Sequence, residues 1–116
     1  TRGMIGTREL ALMKPGSLIV NTARGAIIDE VALVAALRSG HLGGAGLDTF
    51  AQEPIESTHP LLSLHQVVVT PHVAGVTRNA VTQVALMTAQ NILDVRAGKP
   101  LPPRHWVAGP LPGARA

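Results

Sequence analysis

Arg24, Asp48, Glu53 and His72 are the residue types that together could polarise a carbonyl and move a proton beside it. A guanidinium fork grips carboxylate or carbonyl oxygens, and an imidazole gives or takes a proton near neutral pH. A carboxylate against the second imidazole nitrogen fixes the ring's orientation and favours its charged form. Taken singly they are weak evidence, since a lone Arg-Gly is commonly a solvated loop and a histidine after proline an ordinary loop residue. Their placement is what sets them apart. Arg24 follows the apolar run Leu18-Ile19-Val20 and the turn Asn21-Thr22-Ala23, Asp48 follows Gly44 to Leu47, and His72 follows Val67-Val68-Val69 and Thr70-Pro71. Each therefore falls at the carboxyl end of a short strand, where ligands bind in open parallel sheets. Glu53, in the loop after Asp48, can reach the same edge.

The elements that must position them can be read from punctuation. Thr7 is placed to cap a short helix through Met13, stopped by Pro15 and Gly16. Leu18 to Val20 suit a parallel strand covered on both faces. Asp29 caps a helix from Glu30 to Ser39 with apolar residues at Val31, Leu33, Val34 and Leu37, and Gly40 ends it. Gly44 to Asp48 form a second strand of small residues, against which a helix can pack closely. Ala51 to Leu64, with Pro54 and Pro60, read as loop, and Val67 to Val69 as the third strand. Thr77 caps a long helix to about Ala97 with Val81, Val84, Ala85, Thr88, Ile92 and Val95 on one face, and Gly98 and Pro100 close it. Lys99 to Ala116 hold five prolines and read as an extended arm. Alternating helix and strand predicts an α/β fold with a parallel sheet and right-handed crossovers.

Composition limits the alternatives. The 116 residues suffice for one ordinary domain, and 46% hydrophobic with 15% charged residues suits a buried α/β core. The absence of cysteine removes disulfides and thiolate metal sites. No apolar run approaches the roughly 20 residues that span a bilayer, and no signal peptide opens the chain, so the expectation is a soluble, cytoplasmic protein with no membrane partner. A net charge of +3 comes from scattered basic residues, and the aromatics are Phe50 and Trp106 alone. That is no stacking platform on a basic stripe, so no nucleic-acid partner is expected. A metal site from His59, His65 and His72 fails on geometry, because loop spacings do not place three imidazoles on a common face. His41, His59, His65 and His105 are read as surface or turn residues and Asp29 as a helix cap. Glu56 is a second acid in the same loop, without a proline after it.

The runs MKPGSLIVNTARGAIIDEVALVAALRSGHLGGAGLDTFAQEP and HPLLSLHQVVVTPHVAG resemble the second half of the nucleotide-binding domain of the D-isomer-specific 2-hydroxyacid dehydrogenases, with phosphoglycerate-dehydrogenase-like members nearest in character. The likeness extends from about Arg2 to Pro100 and rests on Asn21 to Gly25, Gly46-Leu47-Asp48, Glu53-Pro54 and Pro71-His72 in combination. It implies a partial Rossmann-like sheet in residues 1–98, followed by a proline-rich arm in 99–116. It also implies that Arg24 holds the substrate's carboxylate and carbonyl, that His72 is the acid/base, and that Glu53 is its partner. By the same resemblance Asp48 faces the nicotinamide carboxamide of NAD, with NADP not excluded. Thr22, Ala23 and Arg24 touch the cofactor, and His72, Val73, Ala74 and Gly75 lie along its reactive ring. The substrate class so implied is a small 2-hydroxy or 2-oxo acid.

One departure from the family is large. The glycine-rich dinucleotide fingerprint and the acid about 20 residues beyond it are absent, as is the main part of a substrate domain. Gly44-Ala45-Gly46 does not replace the fingerprint, because Thr49 stands where its third glycine would fall. The chain therefore reads as a fragment that lacks the first half of the doubly wound domain and is inactive alone. Three functions stay open: part of a dehydrogenase, a non-catalytic fragment that self-associates through an exposed sheet edge into a homo-oligomer, or a regulatory descendant of the fold.

Overall fold

The computed structural model describes residues 1–105, and the element order is α1 (Thr7–Ala11), β1 (Ser17–Asn21), α2 (Glu30–Arg38), β2 (Leu42–Leu47), β3 (Val67–Val69) and α3 (Arg78–Arg96). Short 3-10 turns occupy Gly25–Ile27, Pro60–Ser63 and Pro103–His105. The chain divides into two units, Thr1–Gly75 and a second that begins at Val76. Most of the expected proline-rich arm lies outside the described residues. None of the described helices is long and apolar enough to cross a membrane.

Capping explains most helix boundaries. Asp29 Oδ1 accepts from Val31 N at 2.9 Å and Ala32 N at 3.1 Å, which satisfies two of the amides that open α2. Gly40, at φ +75°, ends that helix in a conformation a side chain rarely tolerates. Thr77 Oγ1 accepts from Ala80 N at 3.1 Å and opens α3 as expected. At α1 the expectation needs correction. Gly6 is the capping position and Thr7 the first helical residue, because Glu9 reaches back to accept from Gly6 N at 3.0 Å. That helix also stops at Ala11, short of Met13.

The three strands form a parallel sheet in the order β1-β2-β3, a partial Rossmann-like architecture. Leu18 pairs with Gly44 and Asn21 with Leu47, while Leu47 also pairs with Val69. β2 begins at Leu42, two residues before the expected Gly44, and its central position carries Asp48 between the ends of its neighbours. Upstream, Ile5 forms a parallel bridge with Ile28, which ties the start of the chain to the segment before α2.

One face of the sheet carries the core. Leu10 of α1, Ala32, Leu33, Val34 and Leu37 of α2, and Leu42, Ala45 and Leu47 of β2 are buried together with Ile28, Phe50 and Leu61. The expectation that β1 is covered on both faces is corrected here. Leu18 and Val20 are 73% and 71% exposed, because β1 is an edge strand and no helix of its unit covers that face. The small-residue strand β2 does take a helix, as expected: α2 packs against its core face. Side chains of Leu18 and Val20 lie over Gly44 and Gly46, and the backbones of Gly16 and Gln66 crowd Gly43 and Gly44.

Val31, expected on the apolar face of α2, is 82% exposed, whereas Leu33 is fully buried. Leu33→Ala should therefore cost about 2–5 kcal/mol, the range for truncating a packed leucine. Val31→Ala should stay within about 0.5 kcal/mol of the parent. Denaturant unfolding of the two variants checks the assignment of faces.

Candidate functional site

Asn21, the last residue of β1, is buried and builds the turn that carries Arg24. Its Oδ1 accepts from Ala23 N at 3.1 Å and its Nδ2 donates to Arg24 O at 2.9 Å. This is an Asx-type turn, which a short amide side chain makes at little cost. Gly25 then passes directly against Phe50 and Ala51, so closely that a Cβ there would overlap their backbone. Arg24 consequently projects from a turn fixed on both sides. Its Nη1 donates to Ala23 O at 2.6 Å, and the side chain is otherwise presented to solvent.

Asp48 is 3% exposed and accepts three hydrogen bonds from the segment after β3. Oδ1 takes the Thr70 hydroxyl at 2.5 Å and Val73 N at 2.9 Å, and Oδ2 takes Ala74 N at 2.9 Å. Those bonds lower its pKa, the Thr70 hydroxyl most, followed by the Ala74 and Val73 amides, against the opposing effect of desolvation. Between the bonded residues stands His72 with φ +56°, in a left-handed conformation that costs a non-glycine residue free energy.

Glu53 divides its oxygens. Oε1 accepts from Phe50 N at 2.9 Å and Oε2 lies 2.8 Å from His72 Nδ1. The His72 bond is the main cause of a lowered Glu53 pKa and the Phe50 amide the second, while Asp48's charge opposes them. With a carboxylate as its partner, His72 Nδ1 carries the proton and Nε2 is the nitrogen left for a ligand. The pair is partly exposed, with side-chain accessibilities of 49% for His72 and 39% for Glu53.

Arg24, Glu53 and His72 line one open cavity of about 250 Å3 together with Gly25, Ala26, Phe50 and Ala51. A neighbouring cavity of about 230 Å3 is lined by Asp48, Phe50, Glu53, Pro54, Ile55, Pro71 and His72. The histidine and its carboxylate are shared by the two. Thr22 and Ala23 lie exposed at the end of β1, and Val73, Ala74 and Gly75 lie exposed beyond β3, flanking Asp48. Glu56 lines a different cavity with His59 and does not meet His72.

Sequence reasoning missed how much of this is carried by neighbours. Thr70, a strand end by sequence, also bonds the buried carboxylate. Gly25, a turn residue by sequence, is demanded by the close approach of Phe50. Glu30, a helix residue by sequence, also accepts from Ala51 N at 2.7 Å. Only the Asn-x-x-Arg-Gly spacing offered a signal, and it concerned Asn21 and Gly25.

Residues 1–74 match the family described as D-isomer specific 2-hydroxyacid dehydrogenase, NAD binding domain. Over 103 residues, 89% of this chain and 30% of the relative, the sequence is 47% identical to glyoxylate reductase of Aeropyrum pernix. It is 48% identical over 100 residues to (S)-sulfolactate dehydrogenase of Chromohalobacter salexigens, covering 84% of this chain and 32% of the relative. The crystal structure of apo D-mandelate dehydrogenase from Rhodotorula graminis superposes with a TM-score of 0.82 at 41% identity, over 96% of this chain and 31% of that one. The chain thus spans about a third of the length of these two relatives.

Asp48 and Glu53 both have folded pKa values below the ordinary 3.8 and 4.5, so each binds protons less readily in the folded chain than in the unfolded one. Their stabilisation is fully present above those ordinary values and is lost as pH falls through the lower folded ones. Asp48→Asn puts an NH2 in place of one acceptor oxygen and should destabilise the chain at neutral pH. The gap between variant and parent in urea midpoint should narrow as pH falls below the ordinary 3.8 and through the lower folded value. A gap independent of pH would mean that ionised Asp48 does not hold the His72 turn.

Proposed function

Because this chain belongs to the family of D-isomer specific 2-hydroxyacid dehydrogenases, whose NAD binding domain it matches, we propose that it carries the anion-binding and proton-transfer half of such an enzyme's active site. The observation that supports this reading best is the single cavity lined by Arg24, Glu53 and His72, with Glu53 holding His72 Nδ1 at 2.8 Å.

The dinucleotide fits the chain in part. The exposed turns at Thr22 to Arg24 and His72 to Gly75, on either side of Asp48, suit the nicotinamide end. Asp48 has one of roughly four acceptor positions left after its three bonds, enough to take a carboxamide N–H. The glycine-rich turn that cradles a pyrophosphate is not among these residues. When bound, NAD or NADP supplies or accepts the hydride at the substrate's C2.

The chain's own residues do the rest. Arg24 pairs with the carboxylate of a small 2-oxo acid and draws electron density toward the carbonyl oxygen. His72 donates the Nε2 proton to that oxygen as the carbonyl carbon is reduced, which leaves a 2-hydroxy acid and a neutral imidazole. In the oxidative direction Nε2 takes the hydroxyl proton. Glu53 holds the imidazole by Nδ1 and so turns Nε2 toward the substrate.

The test uses this chain joined to a glycine-rich cofactor half and a substrate domain from a relative. In that protein His72→Ala should lower kcat by roughly 10²–10⁴, the usual worth of a general acid/base. Turnover within about tenfold of the parent would remove His72 from the chemistry. The 116-residue chain alone should show no saturable turnover.

A second reading concerns assembly. Among the described residues β1 pairs with β2 only, and Leu18 and Val20 are exposed along the unpaired edge with no charge or proline from Ser17 to Asn21. Such an edge is a template for another strand. A second copy of the chain is the occupant proposed, with the exposed Val81, Val84 and Val95 of α3 as further apolar surface. Light scattering at micromolar concentration should report more than one chain per particle, and Val20→Lys should return it toward one. A monomeric parent would overturn this reading and leave the dehydrogenase reading untouched.

A further inference from the structure

Behind the loop that carries Glu53 lies a second carboxylate and imidazole, Glu30 and His59, in a cavity of about 250 Å3 lined also by Ala51, Gln52, Ile55 and Glu56. Glu30 is the first residue of α2, and its Oε1 accepts from Ala51 N at 2.7 Å across 21 positions of sequence. Its Oε2 lies 3.4 Å from His59 Nε2. His59 in turn caps the 3-10 turn Pro60–Ser63, its Nδ1 accepting from Leu61 N at 3.3 Å. An Nδ1 that accepts leaves the proton on Nε2, directed at Glu30.

Two successive amides are therefore held by two different carboxylates. Phe50 N is bound by Glu53, which also holds His72, and Ala51 N is bound by Glu30, which is anchored on α2 and His59. Glu53 closes its own turn through Phe50, whose ring lies in the core and whose backbone meets Gly25; these packing contacts hold the start of the turn, and beyond Phe50 its next amide needs a hydrogen-bonding anchor from outside the loop. Glu30 is such an anchor.

We infer that Glu30, steadied by His59, is a positioning residue that fixes the Phe50 to Glu53 turn and so keeps Glu53 on His72 Nδ1. The catalytic consequence rests on the acid/base reading of His72, but the positioning itself can be measured without turnover. The neutral imidazole of His72 should be the Nδ1–H tautomer while Glu53 holds it, and should revert to the commoner Nε2–H tautomer when Glu53 is released.

The experiment is 15N NMR of the labelled 116-residue chain in alkaline buffer, where imidazoles are neutral. The parent should show His72 mainly as the Nδ1–H tautomer, and Glu30→Ala should shift it mainly to Nε2–H. Asp29→Ala, which removes the cap of the same helix, should leave the tautomer as in the parent. An unchanged tautomer in folded Glu30→Ala overturns the inference, as does an equal shift in Asp29→Ala. Should Glu30→Ala not fold, amide exchange in the parent decides: Ala51 should exchange at least about tenfold more slowly than Gln52, and equal rates overturn the inference. A kinetically silent His72→Ala would end the acid/base reading while leaving these spectra as they are, so the two failures are distinguishable.

Discussion

Asp48 carries the constraint on which the rest of the site depends. A buried carboxylate is tolerable only when its oxygens are well bonded, and this one takes a hydroxyl and two amides from a single short segment after β3. Those bonds offset the cost of holding His72 at φ +56°. The arrangement requires Asp48 to end the middle strand, since only there does it stand beside the end of β3 and, through Asp48 N to Asn21 O at 3.0 Å, beside the end of β1. Sheet order thus becomes site geometry, because the histidine turn and the arginine turn are both fastened to one residue.

The two carboxylates of the site divide the work. Asp48 binds a hydroxyl and two backbone amides and shapes the turn, whereas Glu53 is the one in direct contact with the imidazole. Both are kept ionised by hydrogen bonds that outweigh desolvation, though the leading bond differs: a neutral hydroxyl for Asp48 and the imidazole for Glu53. Charge near His72 is therefore supplied from two directions. Glu53 fixes the ring's orientation by contact, and Asp48 fixes where the backbone delivers it.

Strand ends and helix caps were legible in the sequence because they are local. Asp29 and Thr77 cap as their types predict, and the breaks at Asn21, Asp48 and Thr70 end strands where polar residues interrupt apolar runs. Burial was less legible. An apolar run such as Leu18 to Val20 records which residues favour a covered strand, but cover is supplied by neighbours, and at this sheet edge one face has none. The α1 cap falls at Gly6 and not at the expected Thr7, because the Glu9 side chain, three residues on, bonds back to Gly6 N. Contacts such as Glu30 to Ala51 left no trace, since nothing local distinguishes a bonding glutamate at a helix start from a solvated one.

His72, Glu53, Asp48 and Arg24 are assembled by contacts lying wholly within Thr1–Gly75. Backbone amides, an Asx-type turn and a close-packed glycine hold them, and no dinucleotide is needed to complete those bonds. Preorganisation of this kind means that the reorganisation cost of placing the Glu53–His72 pair is met in folding and not during binding. On the proposed acid/base reading, a dinucleotide has only to bring its nicotinamide to this edge, and the division of labour between the halves of the domain is chemical as well as structural, with hydride delivery assigned to the glycine-rich half and proton delivery to Glu53 and His72.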